Sequence, residues 1–293
     1  MKFARYRRIN CMDGRPLAWK IEPMRLQMLL VLLPLLACTT STAGGEPSPA
    51  AGAPAESVDA GAPAEEAPAE PVARPSYCTA AKSGLVDLTK TPAGPYFVHH
   101  PTSVGTSEAP TILFIPGGRG TRDTATVTFD EWLSRGKTLG AYRVVMPYAD
   151  DGDLTDEGER TIAVLDEVVA CYGSKLGVVH LGGTSNGGRA AYALMLEHPD
   201  RFATLLGAPG LFSSATDATL TAALPGKAVF NAAGALDSGW RTQVEATNKR
   251  LVGLGLDSAY AALPGQGHVL DEKADQEVFF SFWAAHAVST PQQ

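Results

Sequence analysis

A serine, an aspartate and a histidine stand in this chain where together they could carry nucleophilic catalysis at a carbonyl. The serine is Ser185, in "VVHLGGTSNGGRAAYALM", where an apolar run breaks into glycines before an alanine-rich stretch. Gly183-Thr184-Ser185-Asn186-Gly187 fits G-x-S-x-G. That pattern marks a sharp strand-to-helix turn that exposes a serine hydroxyl and needs small neighbours where the two elements approach. A helix starting there also offers free N–H groups and the positive end of its dipole to a developing oxyanion. Downstream, Asp237 in "ALDSGW" and His268 in "QGHVLDE" complete the order Ser, Asp, His. His268 would take the Ser185 proton during attack and return it to the leaving group, while Asp237 holds the tautomer. Each residue also has a plainer reading: Ser185 as the cap of a tight turn, Asp237 as a helix N-cap before Trp240, His268 as a surface loop residue.

Upstream, "FIPGGRGT" ends an apolar run where backbone N–H groups could face a reacting oxygen. Gly118 or Arg119 is expected as one oxyanion donor and Asn186 as the other; the alternative is a plain glycine turn closing a strand. Trp240 either lines a substrate pocket or packs its helix against the sheet. The acidic run "DDGDLTDEGE", Asp150 to Glu159, lacks the spacing and final Glu of a calcium loop and suits the first turn of a helix. His99-His100 has no third ligand nearby, so no metal site and no cofactor are expected. The net charge is −7 and no Lys/Arg cluster occurs from Tyr77 to about Ala287, which argues against nucleic acid as a partner.

Elements that could position these residues follow from periodicity. Strands are expected at "YFVHH", "TILFIPG", "YRVVMPY", "GVVHLGG", "ATLLGAPG", "AVFNAAG" and "SAYAALPG", several apolar on both faces as in a covered parallel sheet. Helices are expected over Asp130–Leu139, Asp156–Tyr172, Asn186–His198, Trp240–Leu254 and Glu272–Ala287. The alternation predicts an α/β architecture, a mostly parallel central sheet flanked by helices, in one domain over residues 77–288. Asp237 and His268 each follow a strand, at the sheet end where open α/β sheets hold their sites. Asp217 is a second candidate for the acid. Leu211 to Lys227 is too short for a large cap domain, so the site is expected to be open and to take small or surface-presented esters.

The first 76 residues are of another kind. "MLLVLLPLLAC", Met28 to Cys38, has the length of a signal-peptide core rather than the roughly 20 residues of a membrane span. Its Leu35-Leu36-Ala37-Cys38 end resembles the bacterial lipobox, which makes Cys38 the expected lipidation site and the membrane a partner through that anchor. A start at Met24 gives the usual brief basic segment, so residues 1–23 read as a misassigned start. Residues 39–76 are almost wholly Ala, Pro, Gly, Ser and acids, a composition expected to form a disordered tether; residues 289–293 read as a tail. With Cys11 and Cys38 accounted for, Cys78 and Cys171 either pair as a disulfide or stay separate buried thiols.

Taken together, residues 77–288 resemble the α/β-hydrolase superfamily, and "SNGGRAAYALMLEHPDRF" is similar to the serine turn of secreted esterases of the polyhydroxybutyrate depolymerase and feruloyl esterase type. The resemblance implies an α/β-hydrolase fold and an envelope-anchored serine hydrolase that cleaves carboxylic esters through an acyl-enzyme. A peptidase or acyltransferase would use the same three residues, and a non-catalytic binding lipoprotein would keep the scaffold alone. The chain departs from those esterases in two places. They carry a His-Gly pair before the acid and a tryptophan soon after the histidine, where this chain reads Ala-Ala-Gly-Ala-Leu-Asp and His-Val-Leu. The acyl and alcohol groups and the oligomeric state are not fixed by the sequence.

Overall fold

The computed structural model describes residues 75–105, 107, 109–150, 153–173 and 178–287, all within one unit, Pro68–Gln293. The signal region with Cys38, the tether up to residue 74 and the tail at 289–293 lie outside the described residues.

Eight strands form one sheet in the order β1-β2-β4-β3-β5-β6-β7-β8: β1 Gly84–Leu88, β2 Tyr96–His100, β3 Thr111–Ile115, β4 Arg143–Pro147, β5 Val179–Gly183, β6 Thr204–Gly207, β7 Ala228–Gly234 and β8 Ser258–Leu263. β1 and β2 pair antiparallel at one edge, β2 meets β4 antiparallel, and β4 through β8 run parallel. Six helices flank it: α1 Arg122–Glu131, α2 Gly158–Tyr172, α3 Asn186–Glu197, α4 Asp217–Ala223, α5 Ser238–Gly253 and α6 Glu277–Ala285. The apolar residues of the central strands divide between two clusters as the pleat requires. Leu113, Val145, Leu181 and Leu205 pack with residues of α2 and α3, while Ile112, Phe114, Val144 and Leu206 pack with residues of α1 and α6. Trp132 joins the second cluster edge-on to Phe114 at 4.8 Å and to Phe279 of α6 at 5.0 Å.

Two elements were not anticipated and one is displaced. β1 is a short antiparallel edge strand of half-buried residues, without the apolar density that marks the others. α4 has seven residues and buries only Leu220. The helix expected over Asp130–Leu139 instead runs from Arg122 to Glu131, followed by 3₁₀ turns at Leu133–Arg135 and Leu139–Ala141. Its sequence, with three threonines and one valine in ten residues, is a weak helix former. Thr121 starts it by accepting the Thr124 N–H, and Ala125 and Phe129, four apart, bury one face.

Cys78 and Cys171 form a disulfide with a Cα–Cα distance of 5.3 Å, closing 93 residues of sequence separation. A loop of that size removes unfolded-chain entropy worth about 4 to 5 kcal/mol. The bridge ties the segment before β1 to the last turn of α2. At that same helix end the buried Arg143 guanidinium donates to the carbonyls of Tyr172 and Gly173 at 3.3 and 2.5 Å, a cation at the negative end of the dipole.

His180 of β5 is fully buried, with Nδ1 2.9 Å from the Thr204 hydroxyl and its ring beside those of Tyr142 and Trp283. Burial pushes its pKa down to about 3. The unfolded chain binds that proton near pH 6.5 and the folded chain refuses it, so stability falls as the pH drops through the window between the two values. At about 1.4 kcal/mol per unit this amounts to several kcal/mol. The urea midpoint is therefore expected to fall steeply between about pH 7 and about pH 4, and to fall less in a His180→Gln variant. An equal fall in both proteins would assign the acid sensitivity to other groups.

Candidate active site

The sheet order sends the chain from β3 outward to β4 and then back across to β5, so the crevice at the C-terminal ends of β3 and β5 is a topological switch point. The "FIPGGRGT" turn follows β3, and Ser185 follows β5 as the residue before α3. Ser185 has φ 57° and ψ −121°, and among the described residues it is the one non-glycine with positive φ. A side chain in that region costs of order 1–3 kcal/mol, so the surroundings must over-determine it. Its N–H donates to the Pro209 carbonyl at 2.8 Å and the Thr184 N–H to the Ile115 carbonyl at 3.2 Å. The glycines explain themselves here. A Cβ on Gly187 would strike the carbonyl oxygens of Ile115 and Pro116, and one on Gly183 would strike the Gly187 carbonyl.

Asp237 follows β7 as the N-cap of α5, and His268 lies in the loop after β8. Ser185 Oγ is 2.9 Å from His268 Nε2, and His268 Nδ1 is 2.7 Å from Asp237 Oδ2. The other carboxylate oxygen, Oδ1, accepts the Trp240 backbone N–H at 3.4 Å, so Asp237 is also a helix cap. The Asp237 side chain is 13% exposed against 40% for His268: the acid is enclosed and the imidazole opens to solvent. Asp217, the second candidate acid, is the first residue of α4, and its carboxylate pairs with Arg250 at 2.6 Å. The capping chemistry of Thr216 turns it into a helix start that the sequence did not signal.

The two candidate donors of the β3 turn, Gly118 and Arg119, separate by peptide geometry. The Gly117 carbonyl accepts the Gly120 N–H at 3.0 Å, so in a planar trans peptide the Gly118 N–H points the opposite way. The Gly118 carbonyl accepts Asn186 Nδ2 at 3.1 Å, which turns the Arg119 N–H away from Asn186. Gly118 lines the cavity that holds Ser185 and His268, and Arg119 does not. The Asn186 N–H belongs to the first turn of α3, whose amides have no intrahelical acceptor.

That cavity has a volume of about 420 Å³ and runs from Ser185 and His268 along α1, past Thr124, Thr128 and Val127 to Asp123, with Val269 on its other side. A larger cavity of about 700 Å³ lies between the start of α2 and α3, lined by Asp156, Glu157, Glu159 and Glu197, and touches none of Ser185, Asp237 or His268. Two of its acids have local partners: Glu157 pairs with Arg160 at 2.5 Å and Glu159 lies 3.6 Å from His198. Among the described residues no three His, Cys, Asp or Glu side chains gather as a metal site.

Three features of the site escaped sequence reasoning. Gln266, 2% exposed, donates to Asp271 Oδ1 at 2.9 Å and accepts the Asp271 N–H at 3.0 Å, closing a bracket around His268. That amide, with the Lys273 N–H, holds the Asp271 carboxyl below its usual pKa. The Asn186 side chain joins the β3 turn to the start of α3. Trp240 is absent from the lining of the cavity along α1, and its ring lies 5.4 Å from that of His268, with the Arg189 guanidinium 4.6 Å from its centroid. The spacing Gln-Gly-His-Val-Leu-Asp was the available signal for the bracket, a polar pair straddling the histidine.

No family model matches the chain, and no curated protein matches it. Solved structures do. A mutant of the feruloyl esterase module from Clostridium thermocellum, complexed with sinapinate, is similar at 15% identity and TM-score 0.51, covering 63% of this chain and 81% of that one. The fluorophosphonate-binding serine hydrolase F of Staphylococcus aureus is similar at 12% identity and TM-score 0.53, covering 70% and 98%. S-formylglutathione hydrolase from the same organism is similar at 14% identity and TM-score 0.50, covering 71% and 98%. The chain has the α/β-hydrolase fold. Its sheet carries no large cap: the segment between β6 and β7 holds only α4 and its flanking loops.

Removing the bracket tests whether the histidine loop depends on it. In Gln266→Ala, two buried hydrogen bonds are lost at about 1–3 kcal/mol, lowering the melting temperature by several degrees. The Asp271 amide is expected to exchange its hydrogen much faster, while the Ser185 amide, held by Pro209, keeps its protection. Unchanged exchange at Asp271 would show that the loop holds without the bracket.

Proposed function

We propose that this protein is a serine hydrolase that cleaves carboxylic esters through an acyl-enzyme, with Ser185 as nucleophile, His268 as general base and Asp237 as the residue that orients it. The observation that carries the reading is the strained backbone of Ser185 combined with its Oγ 2.9 Å from His268 Nε2. Strain of this size at a hydroxyl already aligned with a base fits an attacking group, whereas a capping serine needs an extended backbone and no histidine. The Ser185 N-cap position makes no side-chain capping bond, which leaves its hydroxyl to the imidazole.

In this mechanism Ser185 Oγ attacks the ester carbonyl as its proton passes to His268 Nε2. The N–H groups of Gly118 and Asn186 receive the oxyanion, at the end of β3 and the positive end of α3. Gly118 is preferred to Arg119 because of its peptide orientation and its position on the cavity wall. Collapse expels the alcohol, which takes the proton from His268, and a water deprotonated by the same imidazole releases the acid and restores Ser185. Asp237 accepts the hydrogen bond from Nδ1 and stabilises the transient imidazolium. The cavity along α1 suits a compact, mostly apolar arm of the ester, walled by Val127, Val269 and two threonines.

On p-nitrophenyl esters of short acids, Ser185→Ala is expected to lose turnover by several orders of magnitude with its melting temperature retained. Asp237→Asn is expected to lose on the order of 10⁴ in kcat. Turnover retained in Ser185→Ala would sink the acyl-enzyme reading.

We also propose that the chain is exported and anchored to a bacterial membrane through a lipid on Cys38, with residues 39–76 as spacer. The Cys78–Cys171 bridge supports this reading, since such bonds persist in oxidising compartments outside the cytosol. Expressed in a bacterium, the protein should fractionate with membranes and Cys38→Ala should not. Equal membrane association of both would remove Cys38 as the anchor.

A further inference from the structure

The His268 side chain is 40% exposed, against 13% for Asp237, and no large cap domain covers it. Two hydrogen bonds, one at each ring nitrogen, set its distance to Ser185 and Asp237 but leave the ring plane free to tilt about the line joining them. What faces the ring is Trp240, at 5.4 Å between centroids and 36° between planes, within the range of attractive aromatic pairs. Trp240 is itself held by Arg189, whose guanidinium lies 4.6 Å from the indole centroid in cation–π contact. The layers come from the three elements that carry the site. Arg189 is one helical turn after Ser185 on α3, and its N–H donates to the Ser185 carbonyl at 3.0 Å. Trp240 is three residues after Asp237 on α5, with its N–H on the Asp237 carboxylate. The stack therefore spans from the element of the nucleophile, through that of the acid, to the loop of the base.

We propose that Trp240 is a positioning residue for His268, and that Arg189 acts through it by holding the indole in cation–π contact. The pair takes the place of the wall that a cap would supply, and it acts on the orientation of the base alone. Neither residue lines the cavity along α1, so substrate binding there does not depend on them. This inference rests on the ester-hydrolase reading above, and kinetics separate the two.

The test is a double-mutant cycle on the full chain with a p-nitrophenyl ester of a short acid, reading kcat, KM and melting temperature for each variant. Trp240→Ala is expected to lower kcat on the order of 10- to 100-fold with KM little changed, the cost of a misaimed catalytic group. Trp240→Phe, which keeps a ring against the imidazole, restores most of it. Arg189→Ala lowers kcat severalfold when Trp240 is present and has no further effect in the Trp240→Ala background. Should Trp240→Ala not fold, Trp240→Leu keeps the bulk without the ring and carries the same expectation. A loss expressed in KM, or an Arg189→Ala effect of equal size in both backgrounds, would overturn the proposal. So would full kcat in both Trp240→Ala and Trp240→Leu, and in each of these cases the hydrolase reading would stand. A wild-type protein with no turnover would defeat that reading and this inference together.

Discussion

Everything in the site depends on one close approach, the contact of β3, β5 and α3 around Ser185. The first turn of α3 comes so near the end of β3 that Gly187 has backbone carbonyls where a Cβ would stand, and Gly183 meets that same turn from below. Such contact forces the connecting residue into positive φ, and the hydrogen bonds of Thr184 to Ile115 and Ser185 to Pro209 hold it there. Strain at one residue is thus offset by a sheet buried on both faces. The same approach brings the β3 turn beside the start of α3, so Gly118 and Asn186 face one crevice, tied by the Asn186 side chain.

Much of this was legible because the chain obeys local rules where it is buried. The parallel strands read as continuous apolar runs; β3, β4, β5 and β7 came out within two residues of their expected places, and β6 ends three residues early. Ser185, Asp237 and His268 were each found by position, at the C-terminal end of a strand, and the order of the strands then put them within hydrogen-bonding distance. The failures came where tertiary packing overrides propensity. α1 is held by a threonine cap and two buried residues rather than by helix formers, β1 is an edge strand with no apolar signature, and α4 is short enough to pass for a loop. Asp217 was misread for the same reason: with α4 unseen, it looked like a residue at the end of a connection rather than a helix start facing Arg250.

The roles of Arg189 and Trp240 were not legible, because each depends on a partner distant in sequence, and the local Gln266–Asp271 spacing gains its meaning only from the burial of Gln266. A buried amide is usually costly, and Gln266 is tolerated because Asp271 satisfies both of its ends. In a fold without a large cap, the loop of the base must be fixed from beneath and from the side. The Gln266–Asp271 bracket supplies the first and the ring of Trp240 the second. That division leaves the outer face of His268 and the neighbouring Val269 open to solvent, consistent with a site that meets its substrate at the surface.

The central claim is that Ser185 is an activated nucleophile, and its most direct measurement is covalent. The folded full chain would be treated with a fluorophosphonate probe and the modified residue read by peptide mass. The account predicts stoichiometric labelling at Ser185, lost in Ser185→Ala. Absence of labelling in a demonstrably folded protein, or labelling at a different residue, would contradict it.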